Sequence, residues 1–263
     1  MKKLLLSLPF ILLLSACGTG SRSVSPEMPF AKIYTAVWMQ RAAEYDALCF
    51  QAFNSAKLSL DQAIMMRQES DSKPLAIITD IDETVLDNSP NAVHQGLKGE
   101  LFDSAEWTRW CNRVEADTVP GAPSFLKYAA DEGVEIFYIS NRKEAEREST
   151  LANLRKFDLP NADNDHLLLK TGTSNKDERR AKVMETYDVV MYIGDQLTDF
   201  PEHNVAQERE RDIVTRRDIP KFGAVYIILP NPNYGEWESA LFERQHYDKY
   251  KQAEIIKEAA RTY

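Results

Sequence analysis

Little in this chain supports a fold stapled by disulfides or built on a histidine metal site. It holds 3 cysteines and 4 histidines in 263 residues. His94, His166, His203 and His246 are scattered and share no metal-ligand spacing. Basic charge is also short: 32 Lys and Arg stand against 41 Asp and Glu, a net charge of −9. That balance excludes non-specific binding to a nucleic-acid polymer, because any anionic partner must be drawn by local cations or a metal. The apolar run Leu4–Leu14 falls short of the roughly 20 residues a permanent membrane helix needs. No internal repeat and no low-complexity tract interrupt the body. What is present is 43% hydrophobic residues, with Trp, Tyr and Phe spread along the chain. This predicts one sizeable core with a small appendage, and excludes disorder for the body.

The N-terminus reads as processing signal. Lys2 and Lys3 precede the short apolar run, and Leu14-Ser15-Ala16-Cys17 follows. Residues 1–16 are expected to be a cleaved signal peptide. The Leu-Ser-Ala-Cys sequence resembles a bacterial lipobox, which makes Cys17 the expected lipidation site, an alternative being an ordinary leader that contains a cysteine. Gly18, in place of Asp, favours the outer membrane. Several acyl chains, palmitate among them, would anchor stably where one is marginal. Residues 17–30, rich in Gly, Ser, Thr and Pro, read as a tether. Cleavage removes two lysines and no acid, so the mature charge is more negative by two. Cys49 and Cys111 then remain. They are expected to be buried as small hydrophobes, although an oxidising compartment leaves pairing open.

From residue 31 the pattern is helical to about residue 70, with apolar residues at mixed three and four spacing: Ile33, Val37, Ala43, Leu48, Phe50, Phe53, Leu58. The period then changes. Residues 75–79, 134–139, 166–169, 189–193 and 224–229 are short apolar runs of the kind that form strands buried on both faces. Helical segments at 124–132, 144–157 and 176–187 lie between them, and 245–260 reads as a final helix. This alternation predicts a three-layer, doubly wound α/β fold on a mostly parallel sheet. Residues 88–120, with Trp107 and Trp110, fit no strand and are expected to form a small, mainly helical cap on the domain 31–263.

In such sheets ligands bind beyond the carboxyl ends of the strands. The first run ends in Asp80-Ile81-Asp82-Glu83-Thr84, the second in Ser140-Asn141-Arg142, and the fourth in Gly194-Asp195-Gln196-Leu197-Thr198-Asp199. Lys170 and Lys176 flank the start of the helix before the fourth strand. Four Asp at one edge repel unless a cation sits among them, and hard oxygen ligands suit Mg²⁺.

These motifs resemble, in order, the four signatures of the haloacid dehalogenase-type phosphohydrolases: Asp80-x-Asp82-x-Thr84, Ser140, Lys176, and Gly194-Asp195-x-x-x-Asp199. The finer resemblance is to the bacterial class C acid phosphatases, an outer-membrane lipoprotein branch. It is carried by residues 80–89, Trp107-Thr108-Arg109-Trp110, Ser140-Asn141-Arg142 and the lipobox, and runs from there to Tyr263. The interval from Lys176 to Asp195 is slightly shorter than the pattern, which bears only on a helix boundary.

The resemblance implies an acid phosphatase of 5′-nucleotidase type, using Mg²⁺ to hydrolyse phosphomonoesters through an aspartyl-phosphate. Asp80 is then the nucleophile and Asp82 the general acid and base. Metal ligation is implied for Asp80, Asp82 through its backbone carbonyl, Asp195 and Asp199. Phosphate binding is implied for Ser140, Asn141 and Lys176. Trp107 and Tyr234 match aromatics that sandwich a nucleobase in the family, although position alone favours core or cap packing. Other readings stay open. Asp80 and Asp82 suit a turn and a helix cap, and Ser140-Asn141 suits an N-cap. Lys170 reads as solvated or at the edge of a phosphate, and Arg142 as either exposed or reaching the site. There is no Arg-His-Gly, and neither Cys49 nor Cys111 has an Arg six residues on, which argues against histidine and cysteine nucleophiles. A phosphotransferase to a nucleoside or sugar shares every motif, whereas a purely binding lipoprotein has no need of Asp82. The expected partners are a small phosphomonoester and, through the lipid anchor, a membrane; a homodimer is compatible with the sequence.

Overall fold

The computed structural model describes residues 27–68 and 73–263. Cys17 and the processing signals lie outside them. Among the described residues seven strands follow in chain order: β1 Leu75–Thr79, β2 Leu86–Asp87, β3 Asp117–Thr118, β4 Glu135–Ile139, β5 Leu167–Leu168, β6 Asp188–Gly194 and β7 Tyr226–Ile228. Five of them form one parallel sheet in the order β5-β4-β1-β6-β7. The sheet is buried on both faces, and its strands divide their side chains by parity. Leu75, Ile77, Ile136 and Tyr138 enter one core, while Ala76, Ile78, Phe137 and Ile139 enter the other. That is why these strands read as continuous apolar runs with no alternation.

The helices, again in chain order, are α1 Glu27–Arg41, α2 Ala43–Met66, α3 Ser89–Leu97, α4 Ser104–Arg113, α5 Ala122–Asp131, α6 Arg147–Lys156, α7 Asp177–Thr186, α8 Glu208–Arg217, α9 Glu236–Leu241 and α10 Lys249–Ala259. The expected helical stretch from residue 31 is thus two helices, broken by the extended backbone of Ala42. The first begins at Glu27, inside the stretch read as tether, with an acid and Pro29 in its first turn. α2 buries Tyr45, Cys49, Phe53, Ala56 and Leu60, one stripe at three and four spacing, and joins α5 and α6 in the larger core. Val183 of α7 enters the smaller core on the opposite face. The layers are therefore helix, sheet, helix.

Residues 88–120 differ from expectation in one respect: β3 lies within them and pairs antiparallel with β2, Leu86 opposite Thr118. The two-residue pairing closes a small cap around α3 and α4. α3 lies against α1 at close range, since a Cβ on Gly96 would stand 2.5 Å from Ile33 Cγ1 and 2.8 Å from the Pro29 carbonyl oxygen. α8 and α9 were not expected, and α10 starts at Lys249, behind an Asp248 cap that accepts from the amides of Tyr250 and Lys251. Cys49 and Cys111 are both buried and unbonded, and burial pushes each thiol up to about 12. Among the described residues no helix is long and apolar enough to cross a membrane.

Candidate active site

The chain leaves β1 through a tight coil. The Ile81 carbonyl accepts from the amides of Thr84, Val85 and Leu86, and Glu83 takes a left-handed φ of 59°. That conformation is costly for a side chain of this size and persists because its surroundings fix it. The buried Glu83 carboxylate accepts from the Asn88 amide at 2.8 Å and from the Tyr234 hydroxyl. Burial, with repulsion from Asp82, holds its carboxyl well above the usual range. The coil presents Asp80 and Asp82 side by side at the carboxyl end of the sheet.

Asp80 meets two carboxylates delivered by β6. Asp195 follows the last residue of that strand, and Asp199 returns on a 3₁₀ turn at Leu197–Asp199. Oxygens of Asp80, Asp195 and Asp199 lie within 4.8 Å of one another, and all three residues are buried. Gly194 permits the approach, since a Cβ there would stand 2.3 Å from Asp199 Cβ. Lys176, just before α7, donates to Asp80 and, at 2.7 Å, to Asp199 Oδ1. Burial opposes its charge, but the two carboxylates more than offset this and hold its ammonium above the usual lysine range. One ammonium does not neutralise three buried acids. Burial raises Asp80 well above the usual carboxylate range, Lys176 pulling the other way, and Asp195 is pushed up to about 7 by burial and by Asp199. A buried group of hard oxygen donors short of positive charge fits a divalent metal, and Asp80, Asp195 and Asp199 are the residues able to hold one.

Asp82 stands apart from that trio. Its carboxylate accepts from Arg142 Nε at 3.0 Å and Nη2 at 2.8 Å, from Asn88 Nδ2 at 2.9 Å, and more distantly from Ser140 Oγ at 3.4 Å. Its side chain thus stays out of the trio. Arg142 is not exposed: it is 2% accessible. Burial works against its charge, but Asp82 more than compensates and holds the guanidinium above its ordinary value. Ser140 is buried beneath Asp82. Asn141 is held by Arg179, which also donates to the Ser140 carbonyl at 2.6 Å. Lys170 is half-buried at the sheet edge, and its amide donates to the Arg142 carbonyl.

Asp80, Asp82, Asn141, Arg142, Lys176, Asp195 and Asp199 line a cleft of about 520 Å³, whose walls include Trp107 from α4 and Tyr234 from the loop after β7, while Ser140 is buried behind it. Both aromatics are half-buried, so they are neither core nor free surface. The Arg142 guanidinium lies 5.7 Å from the Trp107 ring centroid. The Tyr234 loop is tied to the acidic trio, because Asn231 Nδ2 and Gln196 Nε2 donate to Asp195 Oδ2 at 2.7 and 2.6 Å. Sequence reasoning missed Asn231, Gln196, Asn88 and Arg179 as parts of the site. Asn231 and Gln196 sit beside recognised motifs, which was the available signal, but only the fold reveals whom they bond.

The parallel sheet with its acidic trio and adjacent lysine defines a phosphohydrolase of haloacid dehalogenase type. The chain belongs to the HAD superfamily, subfamily IIIB (acid phosphatase), which matches residues 25–237. It is similar to the class C acid phosphatase from Bacillus anthracis, at 34% identity and a TM-score of 0.85, over 90% of this chain and 99% of that one. A second structure of that protein, with tungstate bound, gives a TM-score of 0.84 at 34% identity, over 91% of this chain and 99% of that one. A further relative is Acid phosphatase 1 from Solanum lycopersicum, 36% identical over 134 residues, 46% of this chain. That match spans 50% of the tomato protein's length. Phosphomonoester hydrolysis is the reaction class that goes with this membership.

Proposed function

We propose that the protein is an Mg²⁺-dependent acid phosphatase that hydrolyses nucleoside 5′-monophosphates through a phosphoester on Asp80. The carrying observation is that Asp80, Asp195, Asp199 and Lys176 meet at one end of β1 and β6, with Asp82 beside them and outside their ion pairs. A bound Mg²⁺ would be held by Asp80, Asp195 and Asp199 and would supply charge neutralisation between nucleophile and phosphate.

An Asp80 carboxylate oxygen attacks phosphorus, and the bond from phosphorus to the ester oxygen breaks. Asp82 gives its proton to the departing alkoxide. Water then attacks phosphorus, Asp82 takes the proton back, and inorganic phosphate leaves with Asp80 regenerated. Lys176 carries positive charge next to the nucleophile and is placed to meet a phosphoryl oxygen as a point charge. Asn141, held by Arg179, offers its amide to another. Trp107 and Tyr234 supply flat faces that recognise a base by stacking, at about 1–3 kcal/mol per contact and without a code for base identity.

The test is a substrate panel of nucleotides, nicotinamide mononucleotide and small aliphatic phosphates, with and without Mg²⁺. Turnover is expected only with the metal, at higher kcat/KM for ring-bearing substrates, and is expected to vanish in Asp80→Asn. Activity of Asp80→Asn within about tenfold of the parent removes Asp80 from the nucleophile role. Trp107→Ala and Tyr234→Ala are expected to raise KM for nucleotides alone. An equal loss on both substrate types makes the protein a general phosphomonoesterase.

The same proposal includes a lipid anchor at Cys17 and an outer-membrane location, supported by the lipobox sequence. Cys17→Ser is expected to move the protein out of the detergent phase on phase partitioning. Unchanged partitioning rules the anchor out.

A further inference from the structure

Lys32 lies 201 residues before Asn233, yet the two are in direct contact at the rim of the cleft. The side chain of Lys32 is 13% exposed, and its ammonium donates to the Asn233 carbonyl and to Glu238 Oε1 and Oε2 at 2.7 and 2.8 Å. A lysine has three N–H donors. All three are engaged, so Lys32 has none left for a substrate even though it lines the cleft. The contact is reciprocal. Asn233, 4% exposed, donates through Nδ2 to the Lys32 carbonyl at 2.8 Å and to Thr35 Oγ1 at 2.9 Å. Its backbone amide donates to Asn231 Oδ1 at 2.9 Å, the side chain that also reaches Asp195. The next residue is Tyr234, whose hydroxyl bonds Glu83. Helix α1 therefore grips the loop that joins the acidic trio to the aromatic wall.

We propose that Lys32 is a positioning residue for substrate specificity: through Asn233 and Glu238 it fixes the Tyr234 loop so that the ring stands ready to stack. The specificity half of this rests on the reading of Trp107 and Tyr234 as a base clamp; the positioning half does not. Lys32 acts at the rim and touches no reacting atom. Its loss is therefore read in KM for ring-bearing substrates and not in the chemical step.

The experiment compares the full-length parent with Lys32→Met, Glu238→Gln, Tyr234→Ala and the Lys32→Met/Tyr234→Ala double variant. Adenosine 5′-monophosphate and glycerol 2-phosphate are the substrates, and hydrogen exchange is measured over residues 231–235. Lys32→Met is expected to speed exchange in that loop and to raise KM for the nucleotide by about fivefold to tenfold, the low end of one lost stack. Its kcat on the nucleotide is expected to hold. Glu238→Gln leaves the bond to the Asn233 carbonyl in place and is expected to show a smaller shift in the same direction. The double variant is expected to match Tyr234→Ala alone, because Lys32 works through that ring. Unchanged exchange in Lys32→Met overturns the positioning role, and so does a fall in kcat with no change in KM. Faster exchange with an equal KM change on both substrates overturns the specificity role. If Tyr234→Ala leaves nucleotide KM untouched, the clamp reading fails on that variant alone, while exchange still reports whether Lys32 holds the loop.

Discussion

Arg142 gives two nitrogens to Asp82 and is itself held from behind by Thr150, whose hydroxyl accepts from Nη1 at 3.1 Å. The acid is thereby kept pointing into the cleft while its neighbour Asp80 is bound by Lys176. Two carboxylates two residues apart so acquire separate partners, as the proposed division into nucleophile and acid requires. Asp82→Asn keeps the shape and removes the transferable proton. Its turnover is expected to fall by about 10²–10⁴ on alkyl phosphates and much less on p-nitrophenyl phosphate, whose leaving group needs no proton. A rate series over leaving groups checks this, and a uniform deficit would remove Asp82 from the acid role. The four Asp were legible because their spacing is local, two residues and four. Arg142 was not, because a buried guanidinium and an exposed one look alike until the carboxylate that pairs it is in place. Lys32 carried no signal for the same reason, since its partners come from the far end of the chain.

Among the elements, the five sheet strands were legible as apolar runs because both faces of the sheet are covered. β2 and β3 were not, because Leu86-Asp87 and Asp117-Thr118 form no apolar run. α8 is 10 residues long and buries only Arg211, so no apolar stripe marks it. The contact of α1 with α3 is where an element-scale prediction is sharpest. Gly96 has no room for a methyl group against Ile33 and Pro29. Gly96→Ala gains helix propensity yet overpacks this contact, and is expected to lose a net 1–3 kcal/mol or so in urea unfolding. Because α1 also carries Lys32, nucleotide KM is expected to rise in the same variant. A gain in stability would mean that the two helices separate easily.

At the scale of the whole molecule, charge and metal are linked. Burial raises Asp80, and Asp195 is pushed up to about 7, so the metal-free folded protein keeps protons that the unfolded chain releases from about pH 4 upward. The sign follows: stability of the metal-free protein is expected to fall as pH rises through the window from about 4 to about 7. A divalent cation must displace these protons, so its affinity is expected to rise with pH over the same window. Calorimetric titration of Mg²⁺ at pH 6, in two buffers of different ionisation heat, is expected to report proton release as the metal takes the place of the protons on Asp80 and Asp195. Enthalpies independent of buffer at pH 6 would contradict this picture of the trio.

The strand order carries a consequence in time. β1 finds its neighbour β6 only after residues 80–187 have been laid down, and the Tyr234 loop comes later still. A chain growing on a ribosome holds Asp80 and Asp82 early, but neither Asp195 nor Asp199 to complete the trio. Until the last third is made and folded, the nascent polypeptide lacks the assembled trio on which the proposed attack on phosphate esters depends. Under the proposed mechanism the growing chain is expected to be silent until then, and a product truncated before β6 to stay so.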